Sequence, residues 1–382
     1  MYRNKDFLLT ELAGNSYLLP YGQMIADQKH WMQINHTGVY IWNLLQKDCS
    51  REEILTQTAK HFQIAPSDFL SFSEDINMFL NLLLAQEVLL ENKTSSISSS
   101  KDTLTLSIGA LSIKLEGDPK AFPPQFVDFS VDSVSSLQQT IYLHPKLPSI
   151  RRNGQILVRD RDLIVMDTPE EYLLLFPAAK QLYEIHINKS GSLAILHYTP
   201  PYTELLYEEI FQGIRLIYSY LAQMHGMFII HSASLLYNDK AWLFSGPSGM
   251  GKSTHTNLWK NLYQSSLLNG DLNMITLENN VLTVHGIPWC GTSQIHTTKS
   301  YPLGGIILLK QDATDFIESL TDAQKQTSVA QRFISPTWTQ EMFLKNLNFA
   351  EMLCKQVPIC RLHCTKNPHA AEVMKSYIDN YC

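Results

Sequence analysis

Long apolar runs are missing from this 382-residue chain, which nowhere approaches the roughly 18 consecutive apolar residues of a membrane-spanning helix. The first residues, Met1-Tyr2-Arg3-Asn4-Lys5-Asp6, also lack the apolar core of a signal peptide. A cytoplasmic location with no membrane partner is therefore expected. Basic excess is missing too: 30 Lys and Arg against 36 Asp and Glu leave a net charge of -6. No broad positive field exists to draw the chain onto a phosphate backbone, so no nucleic-acid partner is expected. Cysteine is sparse and scattered (Cys49, Cys290, Cys354, Cys360, Cys364, Cys382), with no CxxC pair, which argues against a disulfide framework and a structural zinc site. Cys360-Arg361-Leu362-His363-Cys364 comes nearest to a ligand cluster and reads as a short apolar strand with buried thiols. What is present is 45% hydrophobic content, enough for two or three domains with their own cores.

The first unit, 1–92, reads as a small meander followed by three helices. Leu8 to Leu12, Tyr17 to Ile25 and Trp31 to Ile34 are short apolar runs parted by turn residues. Asn35 is placed to cap a helix, and Ser50 with Glu53 forms a capping box before Ile54, Thr58 and Phe62. Phe69, Phe72, Ile76, Leu80 and Leu83 recur at helical spacing, and Glu87 to Leu90 closes the unit as a strand. Residues 93–102 are serine-rich and read as a linker. Region 103–200 reads as a β-rich middle domain, with an alternating run from Thr103 to Leu115 and a hairpin signal at Asn153-Gly154. Region 201–382 opens with a helix over Tyr202 to Gln223 after Pro200-Pro201. Two strands follow, Met227 to Tyr237 and Ala241 to Ser245. There is no internal repeat.

After the second strand comes Gly246-Pro247-Ser248-Gly249-Met250-Gly251-Lys252-Ser253, which matches GxxxxGK[ST]. Its context is the required one. A buried-strand sequence precedes it, and a helix from Thr254 to Leu262 follows, with Leu258, Trp259 and Leu262 on one side. Glycines at 246, 249 and 251 permit positive φ and close backbone approach, so amide N–H groups converge on phosphate oxygens. Lys252 adds a cation, and the helix start adds a favourable potential. Contacts to ATP are expected from Gly246, Ser248, Gly249, Met250, Gly251, Lys252, Ser253 and Thr254. Ser253 and the nearby Asp271 are the expected Mg2+ ligands.

The strand His231-Ser232-Ala233-Ser234, hairpinned to Trp242 to Gly246, resembles the HPr kinase/phosphorylase superfamily, which shares its nucleotide-binding core with ATP-dependent phosphoenolpyruvate carboxykinase. That resemblance covers about Tyr220 to Leu309. It implies that His231 works with an acidic residue to activate an acceptor hydroxyl, making His231, Asp271 and Lys252 the catalytic set. The HPr enzymes carry two consecutive aspartates where this chain has Gly270-Asp271, so one carboxylate is missing. The loop from Trp289 to Lys299 is expected over the site, with Lys299, Lys310 or Arg332 supplying charge. The N-terminal unit separately resembles the PqqD-like peptide-chaperone fold, through Ile34-Asn35-His36-Thr37-Gly38 and Ile41-Trp42. Such domains bind the leader of a ribosomally made precursor peptide by strand addition, here near residues 24–36 and 67–84.

Together these readings give an α/β and α+β multidomain protein. It has a winged-helix-like N-terminal domain, a β-rich middle and a C-terminal P-loop domain. The expected activity is phosphorylation of a Ser or Thr hydroxyl of a captured precursor peptide. An HPr-type regulatory or small-molecule kinase, and a non-catalytic nucleotide-sensing module, are the alternatives. The peptide, the nucleotide preference and a homo-oligomeric state stay open.

Overall fold

The computed structural model describes residues 1–21, 31–47, 49–65, 68–86, 88–90, 102–146 and 154–381. Contacts divide the chain into two compact units, Met1–Ser99 and Ser100–Cys382. The mixed α/β character expected from the sequence is found, with large sheets in the second unit.

The first unit runs β1 (Tyr2–Arg3), β2 (Phe7–Leu12), β3 (Asn15–Pro20), β4 (Met32–Ile34), α1 (His36–Leu44), α2 (Arg51–His61), α3 (Phe69–Ala85) and β5 (Leu89–Leu90). The Asn35 side chain accepts a hydrogen bond from Gly38 N at 2.9 Å, which starts α1. The capping box of Ser50 and Glu53 starts α2. Leu18, Ile41, Trp42, Ile54 and Leu80 share the core. The strand expected to reach Ile25 ends at Pro20, and residues 22–30 lie outside the described residues. So does the linker call at 93–102, apart from Asp102.

The second unit begins with an eight-stranded sheet. Its strands are β6 (Asp102–Ile108), β7 (Leu111–Gly117), β8 (Gln139–His144), β9 (Gln155–Arg159), β10 (Ile164–Asp167), β11 (Glu171–Leu175), β12 (Leu182–Asn188) and β13 (Leu193–Tyr198). Their order is β6-β7-β8-β13-β12-β11-β10-β9. The run read as a single alternation from Thr103 to Leu115 is two antiparallel strands instead, because Gly109 takes a φ of +56° and reverses the chain. The Asn153 side of the predicted hairpin turn falls outside the described residues. Helix α4 (Glu204–Met224) lays Ile210, Ile214, Ile217 and Leu221 against Leu115, Ile141, Ile185 and Leu196. The same cluster takes in Ile229, Leu272, Met274 and Trp289, so regions 103–200 and 201–382 share one core and fall in one unit.

Beyond α4 come β14 (Phe228–Tyr237), β15 (Lys240–Ser245), α5 (Lys252–Tyr263), β16 (Leu267–Asn269), β17 (Leu272–Glu278), β18 (Val281–Gly286) and β19 (Ser300–Gln311). They are followed by β20 (Phe316–Glu318), α6 (Asp322–Ala330), α7 (Gln340–Gln356), β21 (Ile359–Cys364) and α8 (Pro368–Asp379). Along β15, Trp242 and Phe244 pack with Trp259 of α5 and Met374 of α8. The alternate residue Leu243 joins Phe349 and Leu353 of α7 in a different cluster, as the period of two requires. Strand β14 changes partner part-way: Phe228 to His231 pair with β17, and Ser232 to Tyr237 with β15.

Candidate active site

The change of partner along β14 places the site. His231 is the last residue registered against β17, opposite Leu272, and Ser232 is the first registered against β15, opposite Ser245. Asp271 directly precedes Leu272, and Gly246 directly follows Ser245. Strand register alone therefore gathers His231, Asp271 and the glycine loop. His231 Nε2 lies 2.9 Å from Asp271 Oδ1, with both side chains about a third exposed.

A buried polar network fixes the turn that carries Asp271. Asn269 Oδ1 accepts from Asp271 N at 3.0 Å and Leu272 N at 3.3 Å, while its Nδ2 donates to Ile287 O at 2.8 Å. Ser232 N donates to Asp271 O at 2.8 Å. Behind it, Ser234 Oγ donates to Asn273 Oδ1 at 2.7 Å and Asn273 Nδ2 donates to Ser232 O at 2.6 Å. Satisfied buried networks of this kind hold one geometry, since any rearrangement strands a polar group. The sequence reading assigned no role to Asn269 or Asn273. Their types suit turns and caps, and only the tertiary pairing shows what they hold.

In the loop, Gly249 and Gly251 take φ of +77° and +97°. Gly246 does not have positive φ, contrary to expectation. A side chain there would stand 3.1 Å from Met250 Cγ, so close packing is what favours glycine. Helix α5 starts at Lys252 with Gly251 as N-cap and no side-chain cap, leaving its first-turn amides for a ligand. Lys252 is buried and its Nζ donates to Gly246 O at 3.4 Å. Ser248 and Ser253 are exposed, and Met250 and Thr254 half-buried. Trp259 anchors the helix, whereas Leu262, expected on the same side, is exposed.

Asp271 is held below the ordinary carboxylate range, first by its hydrogen bond from His231 and then, against burial, by the charges of His231, Lys252 and Arg215. Burial pulls the Lys252 ammonium down; Asp271 opposes this and Arg332 adds to it. Of the cations predicted for the site, Arg332 is the one whose charge Lys252 feels, and its carbonyl accepts from His231 N at 2.9 Å. Lys299 and Lys310 are exposed, and neither is among the charges that hold Asp271 down. Arg215 of α4, unsuspected from sequence, is a further cation whose charge Asp271 feels.

The predicted covering loop does approach Asp271. A Cβ on Gly291 would stand 3.0 Å from Asp271 Cβ, and Gly270 N donates to Ile295 O at 3.0 Å. Ser293 Oγ lies 1.8 Å from where a Cβ on residue 270 would be. The volume that a side chain at 270 would claim is thus taken by Ser293. Two cavities flank the start of α5. One of about 340 Å³ is lined by Ser253, Asn257, Asn269, Gly270, Thr292 and Ser293 among others. The other, about 240 Å³, is bounded by Thr254, His255, Gln311, Asp312 and Lys366. No cluster of three or more His, Cys, Asp or Glu suited to a metal exists among the described residues. A magnesium ion, which takes one or two protein oxygens and completes its shell with phosphates and water, still fits a site offering Ser253 and Asp271.

No family model and no curated protein sequence matches the chain. Among solved structures, the HPr(Ser) kinase/phosphatase from Coxiella burnetii aligns at 10% identity with a TM-score of 0.23, covering 40% of this chain and 95% of that one. A likeness of that size carries no argument.

Proposed function

We propose that this chain is a kinase transferring the γ-phosphoryl group of Mg-ATP to a serine or threonine hydroxyl of a ribosomally made precursor peptide, whose leader is held by the first unit. The observation that carries the reading is the 2.9 Å His231–Asp271 pair, registered beside a glycine loop with an uncapped helix start and a buried lysine. With Nε2 donating to Asp271, His231 Nδ1 is free to accept the acceptor hydroxyl's proton as the new P–O bond forms and the bond to the ADP oxygen breaks. The loop amides and Lys252 hold the terminal phosphates in line. Bound Mg2+, on Ser253 and Asp271, would supply further neutralisation of phosphate charge.

Features of the first unit support leader capture. Among the described residues β4 pairs only with β3, leaving an edge for strand addition. Trp31, Met78 and Leu82 expose apolar surface there and on α3. At Gly38 a Cβ would stand 3.0 Å from Ile34 Cβ and 3.2 Å from Phe79 Cζ, so the glycine lets α1 pack close to both β4 and α3. Tethering raises the local concentration of the acceptor to roughly millimolar, which removes the need for extensive sequence recognition at the transfer site.

The test is incubation with Mg-ATP and a precursor peptide encoded beside this gene, followed by mass spectrometry for an added phosphate. Lys252→Ala is expected to cut transfer by about 10²-fold or more while titration calorimetry shows unchanged leader binding. Equal loss of both activities, or full transfer by the variant, refutes the division of labour.

A further inference from the structure

Arg215 sits on α4 between Phe211 and Tyr218, four residues after one and three before the other, so all three share a helical face. Both aromatic rings pack on Trp289, with centroids 5.6 and 5.3 Å away, and Trp289 Nε1 donates to Phe211 O at 3.0 Å. Two residues further on, Gly291 abuts Asp271. The face of α4 that bears Arg215 is thereby tied to the carboxylate of the candidate dyad.

The guanidinium is half-buried, its Nε has no hydrogen-bond partner, and it forms no ion pair among the described residues. Asp271 and, second, the exposed Glu208 are the carboxylates whose charge it feels, against a burial that disfavours its charged form. Arg215, Lys252 and Arg332 thus bring positive charge to a site whose own anion is the half-buried Asp271. A desolvated arginine without a bound anion is a costly arrangement that a polyanionic ligand relieves.

We propose that Arg215 binds the phosphoryl group being transferred, closing with Lys252 a clamp around the nucleotide's terminal phosphate. The proposal rests on the nucleotide reading above and adds a residue that no motif points to. A planar guanidinium suits two equatorial phosphoryl oxygens at once, which the Lys252 ammonium cannot match.

The experiment compares calorimetric affinities for a nonhydrolysable, γ-phosphoryl-bearing ATP analogue and for ADP, each with Mg2+, in the full chain. Arg215→Met is expected to weaken the analogue roughly 10- to 100-fold, the range for charge-assisted hydrogen bonds, and to leave ADP within about threefold. Equal weakening of both ligands would reveal a structural role and overturn the proposal, as would unchanged affinity for the analogue. Should Arg215→Met fail to fold, Arg215→Lys carries the test: losing the fork should reduce the analogue-to-ADP preference about three- to tenfold, and an unchanged preference overturns the idea. If the wild-type chain binds neither ligand, the nucleotide reading itself fails and Arg215 loses its role with it.

Discussion

Substituting Gly270 by alanine tests the account of the covering loop. Its φ is not in the left-handed region, so the cost comes from space alone. The new Cβ would stand 1.8 Å from Ser293 Oγ, 2.7 Å from Ser293 Cβ and 3.0 Å from Cys290 O. Ser293 would have to leave, giving up its bond to Cys290 O at 2.7 Å and the one it accepts from Ile295 N at 3.2 Å. Overpacking costs about 1–3 kcal/mol and each of the two lost bonds about 1 kcal/mol, so Gly270→Ala should destabilise by about 3–5 kcal/mol. Ser293→Gly alone loses the two bonds and gains chain entropy in the unfolded state, at about 2–3 kcal/mol. The double variant removes the two closest obstacles and leaves only Cys290 O. Its cost should fall short of the sum by about 2–4 kcal/mol, since the two Ser293 bonds are lost once and not twice and most of the overpacking goes. Urea unfolding of the four proteins measures this cycle. Additive costs, or a neutral Gly270→Ala, would refute the claim that Ser293 fills the place of a side chain at 270. The same crowding leaves no room for an aspartate at 270.

The network behind Asp271 predicts that Asn273→Ala, which strips partners from Ser234 Oγ and Ser232 O, destabilises by about 2–4 kcal/mol in calorimetry. A loss under about 1 kcal/mol would mean water replaces the amide. His186 offers a pH test away from the site. Burial disfavours its charge, but hydrogen bonds to Glu184 and Glu171 outweigh this and raise its pKa above the ordinary 6.5. Its stabilisation is therefore complete below pH 6.5 and is lost as pH rises through the folded value. Stability curves above pH 6.5 should decline less steeply in His186→Gln than in wild type. Parallel curves would sink the assignment.

Whatever is encoded within a few residues was legible from sequence. Asn35, the Ser50–Glu53 box and the glycine loop each act on backbone groups one turn away, and all start helices, the last of them two residues earlier than read. Break points were harder. The alternation from Thr103 to Leu115 reads as one strand because both halves of the hairpin place apolar residues on the same face, and only the φ of Gly109 divides it. At Gly246 both positive φ and close approach were expected, and only close packing, against Met250, is found, because a requirement for positive φ and a requirement for space leave the same letter.

The site shows the same limit at longer range. That His231 meets Asp271 follows from register between β14 and β17, forty residues apart along the chain, and the expected pairing depended on a resemblance, not on spacing. Arg215 and Asn269 bear no local mark at all. An arginine on an amphipathic helix reads as a solvated charge, and an asparagine before glycine as a turn former. Each acquires a role only through its partner: Arg215 because Trp289 draws the covering loop to α4, and Asn269 because Ile287 and the backbone of Asp271 converge on its amide. Burial is what separates these residues from their ordinary counterparts. An exposed arginine beside a carboxylate contributes little, while one desolvated without an ion pair sets up a potential that a phosphate can answer. The charge placed around Asp271 is a property of packing that no single segment contains.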